Sequence, residues 1–381
     1  MQTSLLSHVS AANDLTARWC AAAGRGDFVL SGCGVWPLLG VLAGAADEPA
    51  RAELTAAVGL SGAEAHAGAL RLLESLSAAE SVAGALGLWV RRDIELNPDW
   101  SGTLPAGTVE PLTDQPALDA WAARHTAGLI PRFPLDLTAE TAMLLATAVV
   151  ARTAWADPFH DDVLEPVSGP WRGHRGPGLS RYSKQLGDAA LLGGSDPVTR
   201  VVVRGHGDLD VHLLLGDGSP GEVLATGFGA LDGTVEVRGE LPVGTLGPGL
   251  TVEATRAMSD SLRIQLPPFE IRSSHDLLAD PDLFGLRAAT DSTRGHFPAV
   301  SATPLAVDSA RQDALARFTR EGFEAAAVTA VAFAVAAALF PPRRTVEIAV
   351  TFDRPFAFLA VHRPTGLVVV AGWVEQPPTR M

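Results

Sequence analysis

Two short segments hold the side chains whose types and spacing could carry acid–base or metal chemistry. His206 and His212 flank Asp208 and Asp210. If the chain there is extended, Asp208, Asp210 and His212 share one face, as a general base and its orienting carboxylate must. The same alternation suits a half-exposed polar strand face, which is the simpler expectation. His160-Asp161-Asp162 sets three metal-ligating side chains in a row. Adjacent residues rarely converge on one ion without a distant ligand, so a solvated turn is expected and no metal site is assigned. Gly205-His206-Gly207 lacks the third glycine and the helix of a dinucleotide loop, and no Gly-x-Ser-x-Gly, P-loop, paired-cysteine or His-Glu-x-x-His pattern occurs. Cys20 and Cys33 are the two cysteines; a disulfide is geometrically possible, but two small buried hydrophobes are expected. No catalytic residue and no cofactor follow from these patterns.

The elements available to position side chains run from helices to strands. Apolar spacing predicts helices over 5–23, 36–42, 49–58, 63–76 and 118–126, several ended by glycine. Short apolar runs predict strands over 28–31 and 83–90. The unbroken apolar run 143–151 suits a strand buried on both faces. From Val201 onward strands are expected at 201–203, 211–215, 262–266, 345–351, 357–362 and 367–374, divided by Gly, Asp and Pro turns. Pro-Gly-rich pieces at 168–178 and 239–249 read as loops or hairpin tips. Helices first and strands later, without strict alternation, predict an α+β fold, and the 381 residues are read as one domain, 1–381.

Composition narrows the partners. With 47% hydrophobic and 19% charged residues the chain can fill a core. The net charge is −14, Lys184 is the sole lysine, and no dense cationic stripe exists to hold phosphates, so nucleic acid is excluded as a partner. No uncharged stretch reaches the ~20 residues a membrane span needs. The start lacks a secretory pattern, so a cytoplasmic location is expected unless a leader has been removed; a monomer is expected, and the Arg-, Ala- and Gly-rich usage suggests a bacterial source.

The last third carries a different kind of signal. Gly322, Phe323, Glu324, Ala325, Ala326, Ala327, Val328 and Thr329 form a run of mostly small residues that can lie in solvent or enter a sheet as an added strand. In an extended chain Phe323, Ala325, Ala327 and Thr329 point one way, and Glu324, Ala326 and Val328 the other. An uncharged stretch follows to Phe340, then Phe352-Asp353-Arg354-Pro355-Phe356 opens a closing pair of strands. The uncharged stretch would be aggregation-prone if bare, so something is expected to cover it.

In this order the segments resemble the reactive-loop hinge and C-terminal signature of the serpins. The likeness extends to Phe28-Val29-Leu30-Ser31, Leu86-Gly87-Leu88-Trp89-Val90, the run from Met143 to Trp155 and Pro158-Phe159, and Leu266-Pro267-Pro268-Phe269-Glu270-Ile271. The resemblance implies three β-sheets, about nine helices and a long reactive loop over 322–345. It also implies a suicide mechanism: a serine or cysteine protease cuts the loop, and the hinge inserts into the large sheet. Scissile-bond candidates are Ala336, Phe340, Arg343 and Arg344, which would suit an elastase-, subtilisin- or trypsin-like protease. The sheet-opening region maps to Ser31, Thr147 and Gln312, with Trp155 beneath the point where the loop enters. Several positions depart from the family pattern. Phe323 replaces a small residue, which would strain the packed core, fill a pocket or dock on the surface as a loop residue; Arg320 replaces a glutamate, which would cost a customary ion pair; and Thr147 and Gln312 stand where the family has an asparagine and a histidine. The alternative implied is a non-inhibitory member that binds a partner or a hydrophobic small molecule, with an acquired biosynthetic or enzymatic role conceivable.

Overall fold

The computed structural model describes residues 2–323 and 343–377. Helix α1 (Gln2–Ala22) leads into strand β1 (Phe28–Leu30). Ser31 then caps α2 (Gly32–Ala45), its side chain accepting from the Gly34 amide. Helices α3 (Ala50–Val58) and α4 (Gly62–Ser77) precede β2 (Val82–Val90), α5 (Pro98–Ser101), β3 (Val109–Pro111) and α6 (Gln115–His125). The apolar run expected to be a strand is β4 (Met143–Ala151), continued by β5 (Thr153–Ala154), but it is half-buried at most positions and not buried on both faces, since one of its edges borders a cleft. Then come β6 (His160–Leu164), β7 (Gly176–Ser183), β8 (Ala189–Leu192), β9 (Val198–Arg204) and β10 (Leu209–Leu215). Helix α7 (Pro220–Asp232) opens on a capping box between Ser219 and Glu222. No element is expected there from the apolar spacing; Pro220, in the first turn, lacks only an amide hydrogen the helix does not use. The strands β11 (Val237–Arg238), β12 (Leu246–Gly247), β13 (Leu250–Ala257), β14 (Ser261–Leu266), β15 (Phe269–Asp276), β16 (Arg311–Phe318), β17 (Gly322–Phe323), β18 (Arg343–Thr351), β19 (Phe356–His362) and β20 (Leu367–Val374) complete the described chain.

Hydrogen bonding divides the strands into sheets of seven (β1-β20-β19-β10-β9-β8-β11), six (β12-β13-β18-β14-β7-β6), four (β15-β16-β17-β5) and three (β3-β2-β4). The last two are halves of one large sheet. Because β5 continues β4 after one residue, the spatial order is β3-β2-β4/β5-β17-β16-β15. Three sheets therefore describe the architecture, one of them split, and among the described residues seven α-helices with three short 3₁₀ turns stand where about nine helices were expected. The fold is α+β. Its core lies behind the split sheet, where β19 and β20 are buried along their whole length. A strand with no solvent face must be apolar on both sides, and Phe356, Phe358, Val368 and Val369 fulfil that.

Two glycines are required by close approach. A Cβ on Gly205 would lie 2.2 Å from Thr153 Oγ1 and 2.3 Å from the Leu209 carbonyl oxygen, where the chain bridges to Trp155. Gly249 has φ +63° and would place a Cβ 2.4 Å from the Thr351 carbonyl oxygen, at the turn between β12 and β13.

Candidate functional site: a strand-wide cleft in the large sheet

Strands β4 and β16 are the facing edges of the split. At one end the two-residue strand β17 bridges them, antiparallel to both, with Phe323 opposite Thr153 on one side and Phe318 on the other. Below Phe323 the edges separate around a cleft of about 790 Å³. Its lining includes Thr147 and Val149 of β4, Gln312 and Ala314 of β16, and Leu38 and Leu39 of α2. Among the described residues no strand pairs with the cleft-facing edge of β4. Edges carrying unpaired amide and carbonyl groups at this spacing are a template for one more strand.

The two edges are tied to the same helix N-terminus. The Ser31 amide donates to Gln312 Oε1, and Gln312 Nε2 donates back to the Ser31 carbonyl, both at 2.8 Å. Thr147 Oγ1 donates to the Gly34 carbonyl. Ser31 Oγ, besides capping α2, donates to the Val369 carbonyl at 2.7 Å. Ser31, Thr147 and Gln312, distant in the chain, thus meet behind the cleft. A Cβ on Gly34 would come 3.3 Å from Gln312 Nε2 and 3.4 Å from Ser31 Oγ, so the knot tolerates little bulk.

Trp155 sits at the closed end. Its indole Nε1 donates to the Thr319 carbonyl and its amide to the Glu321 carbonyl, each at 2.9 Å, and its ring lies 4.6 Å from that of Phe318. Phe159 closes the other side, its amide donating to the Arg320 carbonyl at 2.9 Å. The turn 319–321 that delivers β17 is therefore held by Trp155 and Phe159. Phe323 is fully buried, its ring 6.3 Å from Phe358 of the core sheet, so it fills a pocket and is not a loop residue docked on the surface. Phe159 also carries the buried Arg181, whose guanidinium carbon stands 4.6 Å from its ring centroid. Burial lowers the Arg181 pKa. Arg320, at the position where the resemblance expects a glutamate, pairs with acidic neighbours instead. Its guanidinium meets Asp161 at 3.0 Å and Glu321 at 2.6 Å, since reversing the charge only changes which neighbours can pair.

The other residues expected to form a hinge, Glu324, Ala325, Ala326, Ala327, Val328 and Thr329, and the cleavage candidates Ala336 and Phe340, lie outside the described residues. Arg343 and Arg344 begin β18, opposite Ala257 and Arg256 of β13.

The candidate acid–base trio does not assemble. Asp210 accepts from both Arg363 Nη2 (2.6 Å) and the Gly205 amide (3.1 Å). Asp208 accepts from the Glu80 and Ser81 amides and meets His362 Nε2 at 3.3 Å. Both carboxylates are consumed in tying loop ends together. His212 is pushed down to about 4, first by burial and then by Arg200, with no carboxylate bonded to it. His160, Asp161 and Asp162 lie on β6, where Asp161 serves Arg320 and Asp162 receives Gln265 Nε2 at 3.2 Å. No group of three metal-ligating side chains occurs among the described residues. Cys20 and Cys33 are free and buried, and burial pushes the Cys33 thiol up to about 12. No described helix is long and apolar enough to cross a membrane. Sequence reasoning missed Thr319, Phe318 and Phe358, which hold the hinge turn; the period-two pattern of 312–318 was the signal available for Phe318.

Comparison with known proteins agrees with this geometry. A family model described as Serpin (serine protease inhibitor) matches residues 8–166 and 244–377. Serpin-Z2A of Oryza sativa subsp. japonica is 23% identical over 80% of this chain and 79% of its own length. Serpin-Z6C of the same species is 39% identical over 74 residues, and there the chain spans only 18% of the relative's length. Human thyroxine-binding globulin in complex with thyroxine superposes with a TM-score of 0.70 at 15% identity over all of both chains. Native protease nexin-1 with heparin gives 0.69 at 16% identity, covering 99% of this chain and 100% of that one. These relatives come from plant and animal sources where named, so the expectation of a bacterial type finds no support; Arg-, Ala- and Gly-rich usage reflects coding bias, which does not identify a lineage. By the family match, the split sheet and the hinge strand seated at its head, this chain belongs to the serpin family.

Proposed function

We propose that this chain inhibits a serine or cysteine protease by being cut between Phe323 and Arg343 and then drawing the freed hinge into the cleft. The observation that carries this is β17, already seated between parallel edges and antiparallel to both. Each two-residue step down that register places one inward hinge residue. Ala325 would meet Ala151 and Ala316, Ala327 would meet Val149 and Ala314, and Thr329 would meet Thr147 and Gln312. The small inward side chains match a slot backed by α2, and the hydroxyl reaches the polar knot. Glu324 would lie on the opposite face beside Arg152 and Arg317; Arg152 Nε is buried without a hydrogen-bond partner among the described residues.

The chemistry belongs to the target. Its nucleophile attacks the scissile carbonyl, the amine of the downstream piece leaves, and an acyl-enzyme ester or thioester remains on the upstream piece. Insertion then carries that ester away before water reaches it. Residues in β18 have one backbone edge committed to β13, so among the candidates Ala336 and Phe340 suit cleavage better than Arg343 and Arg344.

A second reading is favoured by one feature. At about 790 Å³ the cleft is within the usual range for a small-molecule site, and Leu38, Leu39, Leu286 and Phe297 make it apolar. A non-inhibitory member binding a hydrophobic small molecule would use that space. Incubation with elastase-, subtilisin- and trypsin-like proteases separates the two. Trapping predicts a denaturant-resistant adduct and a higher Tm after loop cleavage. Cleavage without either sinks the inhibitory reading.

A further inference from the structure

Strand β13 covers one edge of β18 over eight paired positions, and the pairing brings like charges face to face. Arg256 stands directly opposite Arg344, and Arg343 precedes it opposite Ala257. All three arginines are exposed. Like charges directly across an antiparallel pair destabilise it. Among the described residues none of the three is in an ion pair. The nearby Asp260 carboxylate is occupied by the Val346 amide at 2.9 Å, and Glu347, three positions along, faces Glu253 and lies 3.7 Å from Arg263. Charge along this strand pair is thus sorted, with the cations gathered where the cleavable segment rejoins the body. In a chain of net charge −14 such a cluster is a local inversion of the field.

We propose that Arg256, Arg343 and Arg344 form a docking surface for an acidic rim beside the active site of the target protease. This rests on the inhibitory reading above. A protease engaged on the segment ahead of Arg343 must overhang the start of β18, so the contact is continuous with the substrate chain. Complementary charge there acts chiefly on the rate of encounter and is screened by salt, with a Debye length of about 10 Å at 0.1 M.

The test uses the full chain and two elastase-like proteases of matched cleavage preference, one net acidic and one net basic. The rate of adduct formation is measured at about 0.05 and 0.5 M salt for wild type and R256E. R256E sets a glutamate opposite Arg344 in place of a second arginine, so its Tm should equal or exceed that of wild type. Wild type should trap the acidic protease about tenfold faster at low salt than at high salt, and R256E should lose most of that advantage while trapping the basic protease no more slowly than wild type. Adducts forming at the same rate for both chains and both proteases would overturn the docking surface alone. Absence of an adduct with either protease would overturn it together with the inhibitory reading.

Discussion

Replacing Ala327 with glutamate should abolish insertion at neutral pH and allow part of it to return in acid. If the hinge inserts by continuing the β17 register, residue 327 would point inward between Val149 and Ala314, and Val149 Cγ2 already lies 3.6 Å from where a Cβ on Gly34 would be. Among the described residues the two side chains that would face it, Val149 and Ala314, carry no charge, so the glutamate is expected to enter neutral. Protonating an ordinary glutamate at pH 7.5 costs about 4 kcal/mol, and at pH 5.5 about 2 kcal/mol, from 1.36 kcal/mol per pH unit above its usual pKa. The sign follows from linkage: the inserted state raises this carboxyl's pKa, so insertion is favoured as pH falls. The assay is thermal unfolding of chain nicked in the 324–342 segment by an elastase-like protease. Wild type should gain Tm on nicking at both pH values. A327E should gain nothing at pH 7.5 and recover part of the gain at pH 5.5, while A326E, pointing outward beside the half-exposed Val150 and Leu315, should retain more of it at pH 7.5. Equal gains for A326E and A327E at pH 7.5 would refute the register and with it the reasoning about the cleft.

Three further outcomes are expected. Gln312→Ala leaves the Ser31 amide and carbonyl without their side-chain partner and should cost ~1–3 kcal/mol in urea unfolding, with a loss under about 0.5 kcal/mol showing that the knot is not structural. Trp155→Phe keeps a ring against Phe318 but removes the donor to Thr319; amide exchange at 319–323 should accelerate, and unchanged protection there would show that the indole hydrogen bond does not hold the turn. His212 is held neutral, its pKa lowered to about 4 by burial and Arg200, so it contributes stability above pH 6.5 that is lost as pH falls towards 4. His212→Gln should flatten that part of the stability profile by about 1 kcal/mol per pH unit at most, and an unaltered slope would assign acid sensitivity elsewhere.

Much of the scaffold was legible because its signals are local. The run 143–151 is strand β4, and 367–374 is strand β20, since an unbroken apolar stretch too short for a helix has few other solutions. Residues 63–76 formed α4 within a residue at each end, as amphipathic spacing required. Helix α7 was hidden behind Pro220 and the glycines at 221, 227 and 229, although Pro at the first turn is harmless and Ser219 with Glu222 spelled a capping box. The polar knot was half legible: likeness to a family named Ser31, Thr147 and Gln312, whereas their hydrogen bonds depend on three elements meeting.

What the amino-acid order determined alone was the α+β sequence of elements and the net acidic charge, because periodicity, turn chemistry and charge are properties of neighbouring residues. What only the tertiary structure decided was the gap between β4 and β16, the burial of Phe323, the new partners of Arg320 and the facing of Arg256 by Arg344. Each of these is a relation between side chains far apart in the chain. Such relations arise from packing, where the available space and the neighbouring charge are set by every other element at once.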